Sequence, residues 1–301
     1  MRIADALATT RPFFSFEFFP PKDDDGVAQL FATVQTLLPL RPAFVSITYG
    51  AGGSTRMRTL ELAKRIEREL GLTVLAHATC IGATRSELRT MFDDLARAGI
   101  QNVLALRGDA PKDSRADVAP AAFGHATDLI AFLKRNYDFC LGAACYPEGH
   151  PESLSLIDDL RFVREKVDAG ADFLVSQLFF DNDLYRDFLE AAKKAQIHVP
   201  ILPGIMPITN YAQIDRFTKM CGASIPPKLR VELESRQTEP EAVAELGVAY
   251  ATLQCTELLA RHVPGIHFYT LNRSPATRAI VSAILAASAW RPMQLGSVII
   301  R

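Results

Sequence analysis

The chain has 301 residues, 49% of them hydrophobic, and a formal net charge of −1. That length suits two domains or one α/β barrel with a large buried core, and the balanced charge argues against a nucleic-acid or membrane-surface protein. Cys80, Cys140, Cys145, Cys221 and Cys255 lie in apolar surroundings with neither a Cys-x-x-Cys pair nor zinc spacing, and no stretch is long enough to span a bilayer. The reading is a cytoplasmic protein with reduced core cysteines.

Phe14-Ser15-Phe16-Glu17-Phe18-Phe19 reads as a first strand, with the residues at 14, 16 and 18 on one face and Ser15, Glu17 and Phe19 on the other. Pro20-Pro21 ends it and leaves Glu17 near its carboxyl end, where a carboxylate needs a partner, water or a ligand. A helix is expected over 25–38, a strand over 44–50, a helix over 55–70 closed by Gly71, and a strand over 73–80. Thr84 and Glu87 form a capping box for the next helix, and a fourth strand covers 102–109. A helix near 126–135 precedes strand five at 139–146. Leu156, Leu160, Val163 and Val167 mark another helix before strand six at 173–180. After a helix over 184–195, strand seven occupies 200–206, followed by a helix near 211–220, a break at Pro226-Pro227 and a long helix over 240–262. Strand eight covers 266–272, and a last helix 276–287.

Eight short apolar strands alternating with helices predict a single-domain (β/α)8 TIM barrel over residues 1–301, with 288–301 an unassigned tail. Neither a Rossmann nor a P-loop glycine motif occurs, so a nucleotide has to be held by barrel loops. The carboxyl ends of the strands converge on one mouth. There the sequence places Glu17, Thr48-Tyr49, His77, Arg107-Gly108-Asp109, Tyr146 to His150, Gln177, and Tyr269 with Asn272-Arg273. All nine lysines fall in helices or loops, which disfavours Schiff-base chemistry on a barrel strand. Metal-ligand spacing is absent, and no metal is expected. One acid with aromatic, amide and charged groups, and no electron sink, leaves redox chemistry dependent on an external cofactor.

In chain order, Phe16-Glu17-Phe18-Phe19-Pro20-Pro21, Thr48-Tyr49-Gly50-Ala51, Arg107-Gly108-Asp109, Tyr146-Pro147-Glu148 with His150, Ser176-Gln177 through Asp181, Pro203 to Pro207 and His267 to Arg273 resemble the blocks of methylenetetrahydrofolate reductase in its short bacterial form. The resemblance implies that NADH or NADPH reduces a noncovalently bound FAD, which then reduces 5,10-methylenetetrahydrofolate to 5-methyltetrahydrofolate in a ping-pong scheme. Glu17 matches the general acid, expected to be held protonated by an apolar wall of Phe16, Phe18 and Phe19 or their neighbours. Asp109 matches an aspartate beside flavin and pterin that disfavours an anionic reduced flavin and favours the cationic iminium of the folate.

The FAD positions fall on Tyr49, Ala51, His77, Arg107, Gly108, Asp109, Ala126, Tyr146, His150, Asp159 and Lys166, and Thr48 matches a nicotinamide-side contact. His125 stands where the family often has a tyrosine beside the adenosine half. Gln177 matches the pterin amide, Phe217 a ring that stacks on either ligand, and Gln213 and Arg273 folate contacts. Without the resemblance, Asp159 and Lys166 read as a solvated pair on one helix face. Control by adenosylmethionine is not expected, while a homo-oligomer remains open. A flavin barrel oxidising another secondary amine such as proline, and a non-catalytic folate-binding barrel, are the alternatives.

Overall fold

Short strands rich in Val, Leu, Ala and Phe pair in parallel, and intervening helices cover the outer face of the sheet. In the computed structural model, which describes residues 1–9, 12–48, 53–108 and 122–287, the strands are β1 (Phe13–Phe18), β2 (Phe44–Ile47), β3 (Val74–Thr79), β4 (Asn102–Leu106), β5 (Cys140–Cys145), β6 (Phe173–Ser176), β7 (Ile201–Leu202), β8 (Gly204–Ile205) and β9 (Gly265–Tyr269). Tyr49, Ala51, Asp109 and the tail 288–301 lie outside the described residues.

The order is β7-β6-β5-β4-β3-β2-β1-β9-β8, with every pairing parallel. β7 and β8 are two halves of the expected seventh strand, separated at Pro203, which has no amide hydrogen to give to a ladder. β7 pairs with β6 and β8 with β9, and the His267 amide donates to the Pro203 carbonyl at 3.0 Å. The sheet therefore closes into the expected eight-stranded barrel.

The helices are α1 (Ile3–Thr9), α2 (Asp24–Leu37), α3 (Gly53–Leu70), α4 (Arg85–Arg97), α5 (Ala126–Asn136), α6 (Leu156–Asp168), α7 (Asn182–Lys194), α8 (Tyr211–Cys221), α9 (Pro227–Ser235), α10 (Pro240–Ala260) and α11 (Pro275–Ala287). Thr84 and Glu87 make their reciprocal cap, and Gly71 is left-handed at φ 66°. Two helices depart from the sequence reading. α9 begins where Pro226-Pro227 was expected to break the chain, because a proline in the first helical turn gives up no intrahelical bond.

The other is α1, whose Ile3 and Leu7 plug the floor of the barrel among Phe13, Phe44, Leu75, Leu104, Cys140 and Phe173. Asn102 on β4 fastens it, accepting from the Ile3 amide at 2.8 Å and donating to the Met1 carbonyl at 3.0 Å.

Phe14, Phe16 and Phe18 point outward into the main core between sheet and helices, with Phe16 and Phe18 wholly buried. A further apolar cluster joins Leu178, Phe180 and Met206 to α8, α9 and α10, so that this excursion is packed onto the barrel beside its mouth. Among the described residues no helix is long and apolar enough to cross a membrane.

Closure depends on Gly204. A Cβ there would stand 2.3 Å from the Ser176 carbonyl oxygen and 2.7 Å from the Tyr269 ring, whose hydroxyl donates to that same carbonyl at 2.6 Å. Backbone lies on one side and a buried ring on the other, so neither can yield cheaply. Gly204→Ala is expected to destabilise the fold by about 1–3 kcal/mol or more, read as a lower urea midpoint at unchanged slope.

Candidate active site

Pleat alternation turns Ser15 and Glu17 of β1 into the barrel while Phe14, Phe16 and Phe18 face the helices. The parallel register sets Ser46 of β2 level with Glu17, and Ser15 level with His267 of β9. The result is a polar layer above the apolar floor. Glu17, only 8% exposed, has its Oε2 3.4 Å from the Ser46 hydroxyl, 3.4 Å from His267 Nε2 and 3.4 Å from His77 Nε2. The other nitrogen of His267, Nδ1, is 2.8 Å from the Ser15 hydroxyl, and Phe44 stacks against the ring at 5.8 Å. Ser15, His267 and Glu17 thus form one buried hydrogen-bonded line ending at the mouth.

The surroundings of Glu17 correct the expected apolar wall. Phe16 and Phe18 lie on the far side of the sheet and Phe19 is 41% exposed, so the carboxylate is walled by two imidazoles, a serine and Tyr269. Burial, the largest effect on Glu17, pushes its carboxyl up; the charge of His77, the His267 bond and Ser46 pull it down, and the balance lies below the ordinary carboxylate value. Burial holds His77 down to about 4, against the opposing attraction of Glu17, so at neutral pH this imidazole is uncharged. The Tyr269 phenol is pushed far up, chiefly by burial and then by Glu17, and stays a donor.

The depressed value of His77 makes stability depend on pH. The unfolded chain takes up the His77 proton below its ordinary value of 6.5, whereas the folded chain does so only near 4. Stability therefore declines as pH falls through this window, by about 1.4 kcal/mol per pH unit for one proton. Between pH 7 and pH 5 the unfolding free energy of His77→Gln is expected to fall by about 2 kcal/mol less than that of the parent, measured by urea titration at the two pH values.

A second cluster lies on the β4, β5 and α6 side of the rim. Arg107 pairs in bidentate fashion with Glu152 at 2.6 and 2.9 Å, and the Glu152 amide donates to His150 Nδ1 at 3.1 Å. Tyr146 meets the His150 ring edge-on at 4.7 Å. Burial, with Arg107 and Lys166 adding to it and Glu152 and Asp159 opposing it, lowers His150. Gly108, at φ 86°, brings the backbone so close to Ile81 and Thr79 that a Cβ would meet the Ile81 side chain at 2.8 Å.

On α6, Asp159 is 4% exposed and accepts from the Ser153 hydroxyl at 3.0 Å, while the Lys166 ammonium donates to the Ala144 carbonyl of β5 at 2.9 Å. Burial, with Asp159 opposing it, lowers Lys166. These two residues are not a solvated pair, since their helix face is turned toward β5. His125 caps α5 with its backbone amide on Asp128, its exposed ring lies parallel to Phe162 at 6.4 Å, and Ala126 is buried behind it.

Thr48 follows β2, its amide bonded to the Phe18 carbonyl at 2.9 Å. Gln177 follows β6 and bends back so that its Oε1 accepts from the Leu178 amide at 2.8 Å. Phe217 and Gln213 lie on α8, the first packed against the cluster beneath that helix with Arg216 over its ring, the second with its amide capped by Asn210. Arg273 is exposed beyond β9. Before it, Leu271 and Asn272 both take positive φ, 52° and 58°, and the Asn272 amide clamps Phe19 by accepting from its N–H at 2.7 Å and donating to its carbonyl at 2.9 Å. Consecutive left-handed non-glycine residues are costly, and they sit at the rim.

The expected residues that are described thus fall into three groups around one mouth: Glu17 with His77; the Arg107, His150, Asp159 and Lys166 cluster; and the α8 pair with Gln177. The sequence reading assigned no role to His267, Ser15, Ser46 or Glu152. Alternation along β9 puts His267 and Tyr269 on one face and is the signal available for the first of these.

Three buried side-chain polar atoms among the described residues make no hydrogen bond, and two of them, His77 Nε2 and Asp159 Oδ2, belong to positions expected to hold FAD. An orphaned carboxylate oxygen at Asp159, with Arg107 and Lys166 nearby, fits a ligand that carries hydroxyls and a diphosphate. Among the described residues no group of His, Cys, Asp and Glu is placed to hold a metal ion.

A family model described as methylenetetrahydrofolate reductase matches residues 2–285. Methylenetetrahydrofolate reductase (NADH) 1 of Arabidopsis thaliana is 40% identical over 288 residues, which cover 90% of this chain and 49% of that protein; the chain thus spans about half the length of its plant relatives. The 5,10-methylenetetrahydrofolate reductase of Escherichia coli is 39% identical over 267 residues, 88% of each chain. Among solved structures, an uncharacterised Clostridium thermocellum protein that binds two copies of 5-methyl-5,6,7,8-tetrahydrofolic acid superposes with a TM-score of 0.61 at 15% identity, over 93% of this chain and 96% of the other. The Vibrio fischeri 7,8-dihydropteroate synthase does so at 0.53 and 13%, over 94% and 95%. These two likenesses are of fold.

Proposed function

The chain belongs to the methylenetetrahydrofolate reductase family, and from that premise we propose that it is an oxidoreductase converting 5,10-methylenetetrahydrofolate to 5-methyltetrahydrofolate at the expense of NADH or NADPH. FAD, when bound, carries the hydride between the two substrates, which use one face in turn. The observation that supports this reading most is a buried carboxylate, Glu17, seated inside the barrel at its mouth and bonded to His267 and Ser46.

Glu17 gives a proton to the folate amine as the five-membered ring opens to the reactive iminium. His267, itself steadied by Ser15, holds the carboxyl in place. Filling the mouth removes the remaining water and so favours the neutral carboxyl, moving Glu17 toward the state an acid needs. Asp109, outside the described residues, contributes negative charge that favours the cationic iminium. His77, Arg107, His150, Asp159 and Lys166, with Tyr49, Ala51, Gly108, Asp109, His125, Ala126 and Tyr146, would hold the cofactor. Thr48 and Gln177 meet the nicotinamide, Gln177 and Phe217 the pterin, and Gln213 and Arg273 the rest of the folate.

Residues 1–301 form one catalytic barrel domain in this reading, with 288–301 unassigned. The five unbonded cysteines suit a reducing compartment, and the cytoplasm is the proposed place of action.

The test is anaerobic stopped-flow of the flavin band. Bleaching by NADH or NADPH followed by recovery with methylenetetrahydrofolate is the expected result and chooses the nicotinamide. Bleaching without recovery by folate sinks the substrate assignment, and a protein that binds no flavin sinks the whole reading.

A further inference from the structure

Glu148 lies between Tyr146 and His150 in the loop after β5, and both of its carboxylate oxygens are spent on one distant residue. The Ser224 amide donates to Oε1 at 3.0 Å and Oε2 at 3.1 Å, and the Ser224 hydroxyl donates to Oε2 at 2.5 Å. Ser224 stands three residues beyond the end of α8, in the short link to α9. A second contact joins the same two segments. Gly222, left-handed at φ 76°, packs so closely on the loop that a Cβ would meet Pro151 at 3.1 Å. In the barrel order β6 lies between β5 and β7, so a tie from the loop after β5 to the segment after α8 spans the carboxyl end of β6. Gln177 is at that end.

We propose that Glu148 is a positioning residue that fastens the C-terminal end of α8 to the loop carrying Tyr146 and His150, so that Phe217, one turn before that end, and Gln213 stand in fixed register with the cofactor side of the mouth. The proposal rests on the reading of α8 as the folate-facing helix given above. Two charge-assisted donors on one carboxylate, a backbone amide shared between its oxygens and a hydroxyl, hold a helix end far better than neutral bonds do. The same carboxylate reaches no other described group by hydrogen bond, which leaves the tie as its evident task. Without it α8 still packs through its apolar face, and what is lost is its register with the loop.

Glu148→Ala is expected to raise KM for methylenetetrahydrofolate about tenfold, the equivalent of one charge-assisted bond, while kcat and the dissociation constant of FAD stay within about twofold. Glu148→Gln keeps one acceptor and Ser224→Ala keeps the backbone bonds, so both are expected to fall between parent and Glu148→Ala. Amide hydrogen exchange on the FAD-free protein gives a readout that does not depend on turnover: residues 222–225 should exchange faster in Glu148→Ala, with α6 unchanged. An unchanged folate KM together with unchanged exchange overturns the proposal, and so does a parallel loss of FAD affinity or a Gln variant as impaired as Ala. If the parent protein itself fails to turn over folate, the functional reading fails, and the exchange experiment still decides whether Glu148 holds the end of α8.

Discussion

Glu17→Gln should leave a protein that folds, binds FAD and bleaches with NADH, yet transfers hydride to methylenetetrahydrofolate about 10² to 10⁴ times more slowly. That factor corresponds to about 3–5 kcal/mol of transition-state stabilisation. The fold is expected to survive because the amide has the size of the carboxyl and its oxygen can still accept from Ser46 and His267, both 3.4 Å from Oε2 in the parent. The cofactor is expected to remain because the cluster proposed to hold it is built on β4, β5 and α6. What the variant lacks is an acidic proton. Glu17 lies below the ordinary carboxylate value in the empty mouth and is moved up when the mouth is filled, so the folate half of the parent reaction should slow as pH rises and Glu17 ionises in the filled site, and the variant should lose that dependence. Normal folate transfer by Glu17→Gln would show that the acid is another group, and loss of FAD would make Glu17 a structural residue.

The barrel is legible in the sequence because each strand is a short apolar run and each helix carries its own stripe and cap, all local signals. What is not local is less legible. His267 acquires its meaning from the register of β9 on β1, a pairing between residues 252 apart in the chain that sets it beside Ser15. The same reasoning explains why Phe16 and Phe18 do not wall Glu17. Adjacent residues of a strand face opposite ways, so the neighbours of Glu17 come from β2, β3 and β9.

Spacing along α6 shows that Asp159 and Lys166 share a face but not whether that face meets water or sheet, and their burial depends on how α6 lies on β5. α1 is only seven residues long, and its Ile3 and Leu7 form a core stripe only because the barrel floor is there to receive them. Without that floor so short a helix would not be stable. Pro203 interrupts the seventh strand just where closure occurs, yet the sheet tolerates it because its carbonyl still accepts from His267.

Asp159→Ala is expected to weaken FAD binding roughly 10- to 100-fold, the worth of a hydrogen bond to a charged group, while the FAD-free protein loses little stability. The argument starts from the unpartnered oxygen. Asp159 Oδ1 accepts from the Ser153 hydroxyl, but Oδ2 is buried without any hydrogen bond, in a residue 4% exposed. A buried acceptor left unsatisfied costs about 1–3 kcal/mol in the empty protein, so truncation removes a cost there along with one modest bond and the attraction of Asp159 for the Lys166 ammonium, which keeps its bond to the Ala144 carbonyl. A ligand hydroxyl reaching Oδ2 reverses that balance, and the side chain then stabilises only the loaded state. The two effects separate in measurement: flavin fluorescence titration of the FAD-free protein gives the affinity, and urea unfolding with and without FAD gives the stability of each state. Affinity within twofold of the parent would mean that the ligand does not use Oδ2. A large loss of stability in the FAD-free variant would instead make Asp159 a structural partner of Ser153, with its second oxygen tolerated as a strain on the fold.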